Sequence, residues 1–227
     1  TIYPRFAFGL APRRGEVPIF VFHDVTEDEF RADLTFLAEN DYRTIGLNEL
    51  TADPAPGSVL LTFDDARASF LEVALPLLEE FEARAALFVP TAWVGRRIER
   101  PTQAVRFLDW DELRQCDASP LVDVESHAHR HAMVPVARAI ADFASPETLG
   151  RFDVFDWPLR WDADGREILG PPPLGTPIFH SSPLLSQSRC LRPAAGLEAA
   201  CRSAAEAPGF FDRPDWRTGL EAVTGPL

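Results

Sequence analysis

From residue 17 to about residue 131, short runs of β-favouring apolar residues alternate with stretches whose apolar positions recur every three to four residues. That alternation predicts a parallel α/β sheet or barrel, because neighbouring parallel strands need a crossover helix between them. Pro18 to Phe22 (PIFVF) reads as a buried strand. Thr26, Glu27, Asp28 and Glu29 offer a capping box ahead of a helix with Phe30, Leu34 and Leu37 on one face. A short strand is expected around Tyr42 to Ile45, and a stronger one at Ser58 to Phe63 (SVLLTF) after the turn-forming Pro54 to Gly57.

Phe70, Val73, Leu77 and Phe81 then recur at helical spacing. Pro76 requires that helix either to kink or to begin its regular part near Leu75, since proline is tolerated in a first turn and not in an interior. Ala85 to Val89 and Leu121 to Val124 read as further strands, with a short helix at Asp109 to Cys116. After about Ala132 the periodicity weakens, and Gly170 to Pro177 marks a long irregular connection. After Ala132 only Gly196 to Ala207 looks helical, and no internal repeat is visible. One domain over residues 1–227 is expected, with its α/β part at about 15–135 and an irregular, proline-rich remainder at 136–227.

Charge narrows the partners. The net charge is -13 with a pI near 4.8, a field that repels phosphate backbones and anionic membrane surfaces, so nucleic acid is not expected. All 22 basic residues are arginine, which removes lysine Schiff-base and P-loop chemistry. Cys116, Cys190 and Cys201 are widely spaced and outside any C-x-x-C pattern, which argues against a disulfide framework or thiolate zinc site and for a reducing compartment. No apolar run approaches the roughly 20 residues of a bilayer span, and Thr1 to Leu10 lacks the regions of a signal peptide. A cytoplasmic location is the resulting expectation.

Two segments carry candidate chemistry. Thr62-Phe63-Asp64-Asp65 puts two carboxylates directly after one strand, and Ser126-His127-Ala128-His129-Arg130-His131 puts three imidazoles directly after another. Functional groups of parallel α/β folds collect at the carboxyl ends of strands, so the two segments can converge, with His23-Asp24 following a third strand in the same sense. His127 and His131, four apart, can project from one side of a turn, and a carboxylate would complete the three-ligand set of a catalytic zinc site. The plainer alternative makes Asp64-Asp65 a helix cap and the histidine segment a solvated turn.

These residues resemble the polysaccharide deacetylases of the NodB-homology type, carbohydrate esterase family 4. The family's T-F-D-D motif is matched by Thr62 to Asp65, and its serine-histidine pair with a further histidine four residues on by Ser126, His127 and His131. Phe20-Val21-Phe22-His23-Asp24 and Ala86-Leu87-Phe88-Val89 resemble the family's flanking strands, and the likeness covers roughly residues 15–135. The resemblance implies a distorted (β/α) barrel and one divalent metal ion, usually zinc, held by Asp65, His127 and His131. Asp64 would be the general base for a metal-activated water that hydrolyses N-acetyl groups on sugars, releasing acetate.

Other family features are not matched. An R-x-P-Y-like segment and a late L-x-H segment that supplies an acid histidine have no clear counterpart after Ala132, although Phe152 to Trp161 has a related aromatic and acidic character. His180 is the downstream imidazole available as an acid. His129 reads as a surface or supporting group, His23 as a floor or packing residue and Asp24 as a turn cap. About five strands are identifiable against the family's seven, so the barrel is expected to be incomplete, with exposed edges. Two competing functions follow: a catalytically inactive or truncated relative that binds sugar or metal, and a metal-dependent phosphoesterase, whose sites often hold two metals about 4 Å apart. Trp93, Trp110, Trp157, Trp161 and Trp216 receive no role, since tryptophan at this frequency commonly anchors cores and loops.

Overall fold

The structure is a computed structural model that describes residues 15–50, 53–99, 104–162 and 164–225. Contacts divide it into two units: one takes in the described residues up to Arg97 together with Arg106–His129, the other Ile98–Val105 and the residues from Arg130 onward.

The first unit is built on a parallel sheet. It holds β1 (Ile19–Phe22), β2 (Arg43–Thr44), β3 (Ser58–Phe63), β4 (Ala85–Val89) and β7 (Val122–Ser126), while the short strands β5 (Arg97–Ile98) and β6 (Val105–Arg106) fall at the division between the units. The sheet runs β1-β3-β4-β7, every pairing parallel. β3 changes partners along its length: Ser58 and Val59 pair with β2, Thr62 and Phe63 with β4. All six residues of β3 are buried, and the buried Thr62 hydroxyl donates to the Phe20 carbonyl at 3.2 Å. β1 differs from its expected burial, because Ile19 and Val21 are about half exposed. Among the described residues it pairs with β3 alone and stands last in the strand order, so its outer edge is unpaired.

Helix α1 (Glu27–Glu39) buries Phe30, Leu34 and Leu37, the face expected from spacing. The capping box does not form as expected: the Thr26 hydroxyl donates to the Glu29 carboxylate at 2.7 Å, so the two side chains bond each other rather than the helix backbone. Pro76 resolves in favour of a late start of the regular part. Residues 68–80 are helical without a break: a π-helical turn spans Phe70–Ala74 and the regular α2 (Leu75–Glu80) begins after it, so the wider turn directly before Pro76 accommodates its missing N–H. Helix α3 (Trp110–Ala118) is capped by Asp109, whose carboxylate accepts from the Asp111 and Glu112 N–H groups at 2.9 Å. Between sheet and helices, Phe63 touches three aromatic rings, Phe22, Phe30 and Phe70, at centroid distances of 5.1, 5.4 and 4.9 Å.

The second unit holds β8 (Met133–Phe143), α4 (Pro146–Arg151), β9 (Arg160–Trp161), β10 (Glu167–Ile168), β11 (Pro177–Pro183), α5 (Ala195–Ala205) and α6 (Trp216–Thr224). Long connections without regular structure join them, in keeping with the irregular C-terminal region expected. The antiparallel pair of β8 and β11 was hidden from periodicity. Much of β8 is exposed or half-buried, without a clean alternation, and its partner begins and ends in proline, with register shifts between them. Phe143, Cys201, Phe210 and Leu220 form a core of their own. Gly175 (φ 83°) passes so close to α5 that a Cβ there would stand 2.5 Å from that of Ala205.

Phe63→Ala is expected to cost about 3–5 kcal/mol, the usual loss for a fully buried aromatic ring. Urea denaturation checks it, and a loss below about 1 kcal/mol would show that the aromatic cluster does not hold the sheet. Burial pushes the Cys116 thiol up to about 11. Native-state alkylation at pH 8 should therefore label exposed Cys190 rapidly while Cys116 and Cys201 react only on unfolding.

Candidate functional site

Asp64 and Asp65 leave the end of β3. The Asp64 N–H donates to the Phe22 carbonyl at 2.8 Å, extending the β1–β3 ladder by one residue, after which Asp65 (φ 76°) and Ala66 (φ 51°) turn left-handed. The histidine segment begins in the same way. The His127 N–H donates to the Val89 carbonyl at 2.9 Å, and Ala128 (φ 61°) and His131 (φ 44°) are again left-handed. Each such non-glycine residue costs about 1–3 kcal/mol, a strain that surrounding structure must hold and that is typical of functional loops.

β3 and β7 lie on either side of β4, which puts their ends about 10 Å apart at two strand spacings. Side chains reaching in from both ends close that gap: His127 Nε2 stands 3.8 Å from Asp65 Oδ1 and 3.9 Å from Asp64 Oδ2. Those separations exceed a hydrogen bond. They approach the spacing of two ligands on one ion, roughly 3.3 Å for tetrahedral bonds of 2.0–2.1 Å. His131 follows four residues after His127. Asp65, His127 and His131 each offer one donor atom, and the three atoms lie within 4.8 Å of one another. Asp64 is not a member of that group. One carboxylate oxygen and two imidazole nitrogens make a donor set suited to zinc with a coordination position left open. Asp65 is 2% exposed whereas Asp64 is about a fifth exposed, so the buried carboxylate belongs to the group and the more open one stands beside it.

Residues 51–148, which carry all four side chains, match the polysaccharide deacetylase family. Over that stretch the chain is similar to the polysaccharide deacetylases. It is 25% identical over 130 residues to YxkH of Bacillus subtilis (strain 168), a candidate polysaccharide deacetylase, covering 51% of this chain and 43% of that protein. It is 26% identical over 119 residues to the poly-beta-1,6-N-acetyl-D-glucosamine N-deacetylase of Escherichia coli (strain K12), covering 47% of this chain and 18% of that protein. The chain thus spans less than half the length of either relative. Among solved structures, the BpsB deacetylase domain from Bordetella bronchiseptica aligns with a TM-score of 0.48 at 23% identity, over 69% of each chain.

The neighbouring candidates lie around this group. His129 is exposed: its Nδ1 lies 2.8 Å from the Thr91 hydroxyl, and its carbonyl accepts from the Ala92 N–H at 2.7 Å, so it ties the histidine turn to the loop after β4. His23 is exposed after β1, and His180 is exposed on β11. Asp24 does not cap a turn as expected. Its carboxylate receives Arg67 Nη1 at 2.8 Å and the Ser69 hydroxyl at 2.9 Å. In the second unit, Val154, Phe155 and Trp157 of the Phe152 to Trp161 segment are buried, and Phe155 meets the His131 ring edge-on at a centroid distance of 4.5 Å. Trp93 is core, packed on Phe107. Among the described residues no helix is long and apolar enough to cross a membrane.

Sequence reasoning missed Arg67. It is buried, and its Nη2 lies 3.5 Å from Asp65 Oδ2. A single arginine in a loop carries no spacing signal, and only the fold brings Asp24 to it.

Proposed function

We propose that this chain carries the metal-binding and basic groups of a hydrolase that removes acetyl groups from N-acetylated sugars or polysaccharides, cleaving a non-peptide carbon–nitrogen bond. The observation that carries the reading is that one donor atom each of Asp65, His127 and His131 lies within 4.8 Å of the others, inside the stretch that matches the deacetylase family. The E. coli relative's action on an N-acetylated glucosamine polymer suggests the substrate class.

The donor set fits one divalent ion, most naturally zinc, with Asp65, His127 and His131 as its ligands. When bound, such an ion supplies Lewis acidity, which acidifies water and polarises an acetamide carbonyl. Asp64 is the general base: close to His127 yet outside the ligand group, it takes the proton of the water that attacks the acetyl carbon. The water oxygen joins that carbon, the carbon–nitrogen bond breaks and the nitrogen gains a proton, leaving acetate and a free amine on the sugar.

Two substitutions at adjacent positions separate the roles. Asp65→Asn is expected to weaken zinc binding by more than about 100-fold in calorimetric titration, whereas Asp64→Asn should bind zinc within about 3-fold of the parent. Asp64→Asn should nevertheless release acetate from chito-oligosaccharides at least about 100-fold more slowly. Equal zinc affinity in the parent and Asp65→Asn would overturn the ligand assignment. Two ions per chain would favour the phosphoesterase, and tight sugar binding without acetate release would favour an inactive binding module.

A further inference from the structure

We propose that Arg67 and Asp24 form a clamp that positions Asp65 as a metal ligand through one of its two oxygens; the proposal rests on the metal-site reading above. Arg67 is buried and reaches two carboxylates at once: Nη1 is 2.8 Å from Asp24 Oδ2, and Nη2 is 3.5 Å from Asp65 Oδ2. The opposite oxygen, Asp65 Oδ1, is the one that faces His127 Nε2 at 3.8 Å. The guanidinium thus engages the oxygen turned away from the histidine and leaves the other directed at it. A planar fork suits this task, because it fixes two acceptors at a set angle, which a lysine ammonium does not.

Both ends of Arg67 are held. Its backbone forms an isolated bridge with Phe107, the neighbouring Ala66 carbonyl accepts from the Leu108 N–H at 2.9 Å, and its own carbonyl accepts from the Phe70 N–H at 3.0 Å. At the other end, Asp24 is fixed by the Ser69 hydroxyl at 2.9 Å. Electrostatics explains why the clamp needs Asp24. A lone arginine beside a cation site would repel the ion, and a second carboxylate on the guanidinium offsets that charge while keeping the arginine in place. The clamp ties the loop after β1 to the loop after β3, two strand ends that the parallel pairing already sets side by side.

Groups that orient a metal ligand commonly change affinity 10- to 100-fold when removed, which sets the expected effect at roughly that size. Arg67→Met, which keeps the stem and removes the fork, should lose about 10- to 100-fold in zinc affinity by competition with a chromophoric chelator. Its cobalt(II) derivative should show a changed visible spectrum, because Asp65 is free to rotate toward two-oxygen binding. Arg67→Lys should recover only part of the affinity. Asp24→Asn should lose affinity in the same direction, and the double variant should lose less than the two effects combined. Should Arg67→Met not fold, Asp24→Asn, at a largely exposed carboxylate, carries the test by the same criteria. Parent-like zinc affinity and cobalt spectrum in these variants, while Asp65→Asn loses binding, would overturn the clamp alone. Failure of the parent chain to bind zinc would overturn the metal-site reading beneath it.

Discussion

The spacing of a parallel sheet is the constraint on which the site depends. β3 and β7 are separated by β4, so the loops that follow them start about two strand spacings apart, roughly 10 Å. A carboxylate reaching from one end and an imidazole from the other can meet across that distance, and neither can retreat while the ladders to Phe22 and Val89 hold. The left-handed residues at Asp65, Ala66, Ala128 and His131 then aim the side chains sideways rather than onward along the strands. What the Phe63 aromatic cluster contributes is rigidity beneath this end of β3, so packing and chemistry share one strand.

Much of this was legible in the sequence because strands that feed a site carry two signals at once. Ser58 to Phe63 is a largely apolar run followed by two aspartates, and the histidine segment ends a second strand; the parallel α/β class and the convergence of the two segments follow from that conjunction. Local chemistry was less legible. Thr26 and Glu29 satisfy the spacing of a capping box and yet bond each other, since a spacing rule cannot tell whether the hydroxyl accepts from the helix N–H or donates to the carboxylate. Ile19 and Val21 read as buried because their neighbours in sequence are apolar, whereas their exposure depends on which strands stand beside β1.

The C-terminal unit shows the opposite case. β8 and β11 were invisible to periodicity because Pro135, Pro177 and Pro183 punctuate them and because β8 lacks a steady alternation of buried and exposed positions. Arg67 and its pairing with Asp24 escaped notice for a different reason: 43 positions separate the two residues, and nothing in the composition of either loop records that they meet. Residues of this kind, which act on a ligand rather than on the substrate, become visible only once the loops are placed, and they carry much of the precision of the site.

The central claim is that one ion is gripped by a carboxylate oxygen and two imidazole nitrogens. X-ray absorption at the zinc edge, recorded on the chain loaded with one equivalent of zinc, reads that donor set directly. The account predicts a shell of nitrogen and oxygen scatterers at about 2.0–2.1 Å with the multiple-scattering pattern of two imidazoles. A sulfur shell near about 2.3 Å, a second metal scatterer, or an all-oxygen shell without imidazole would contradict it.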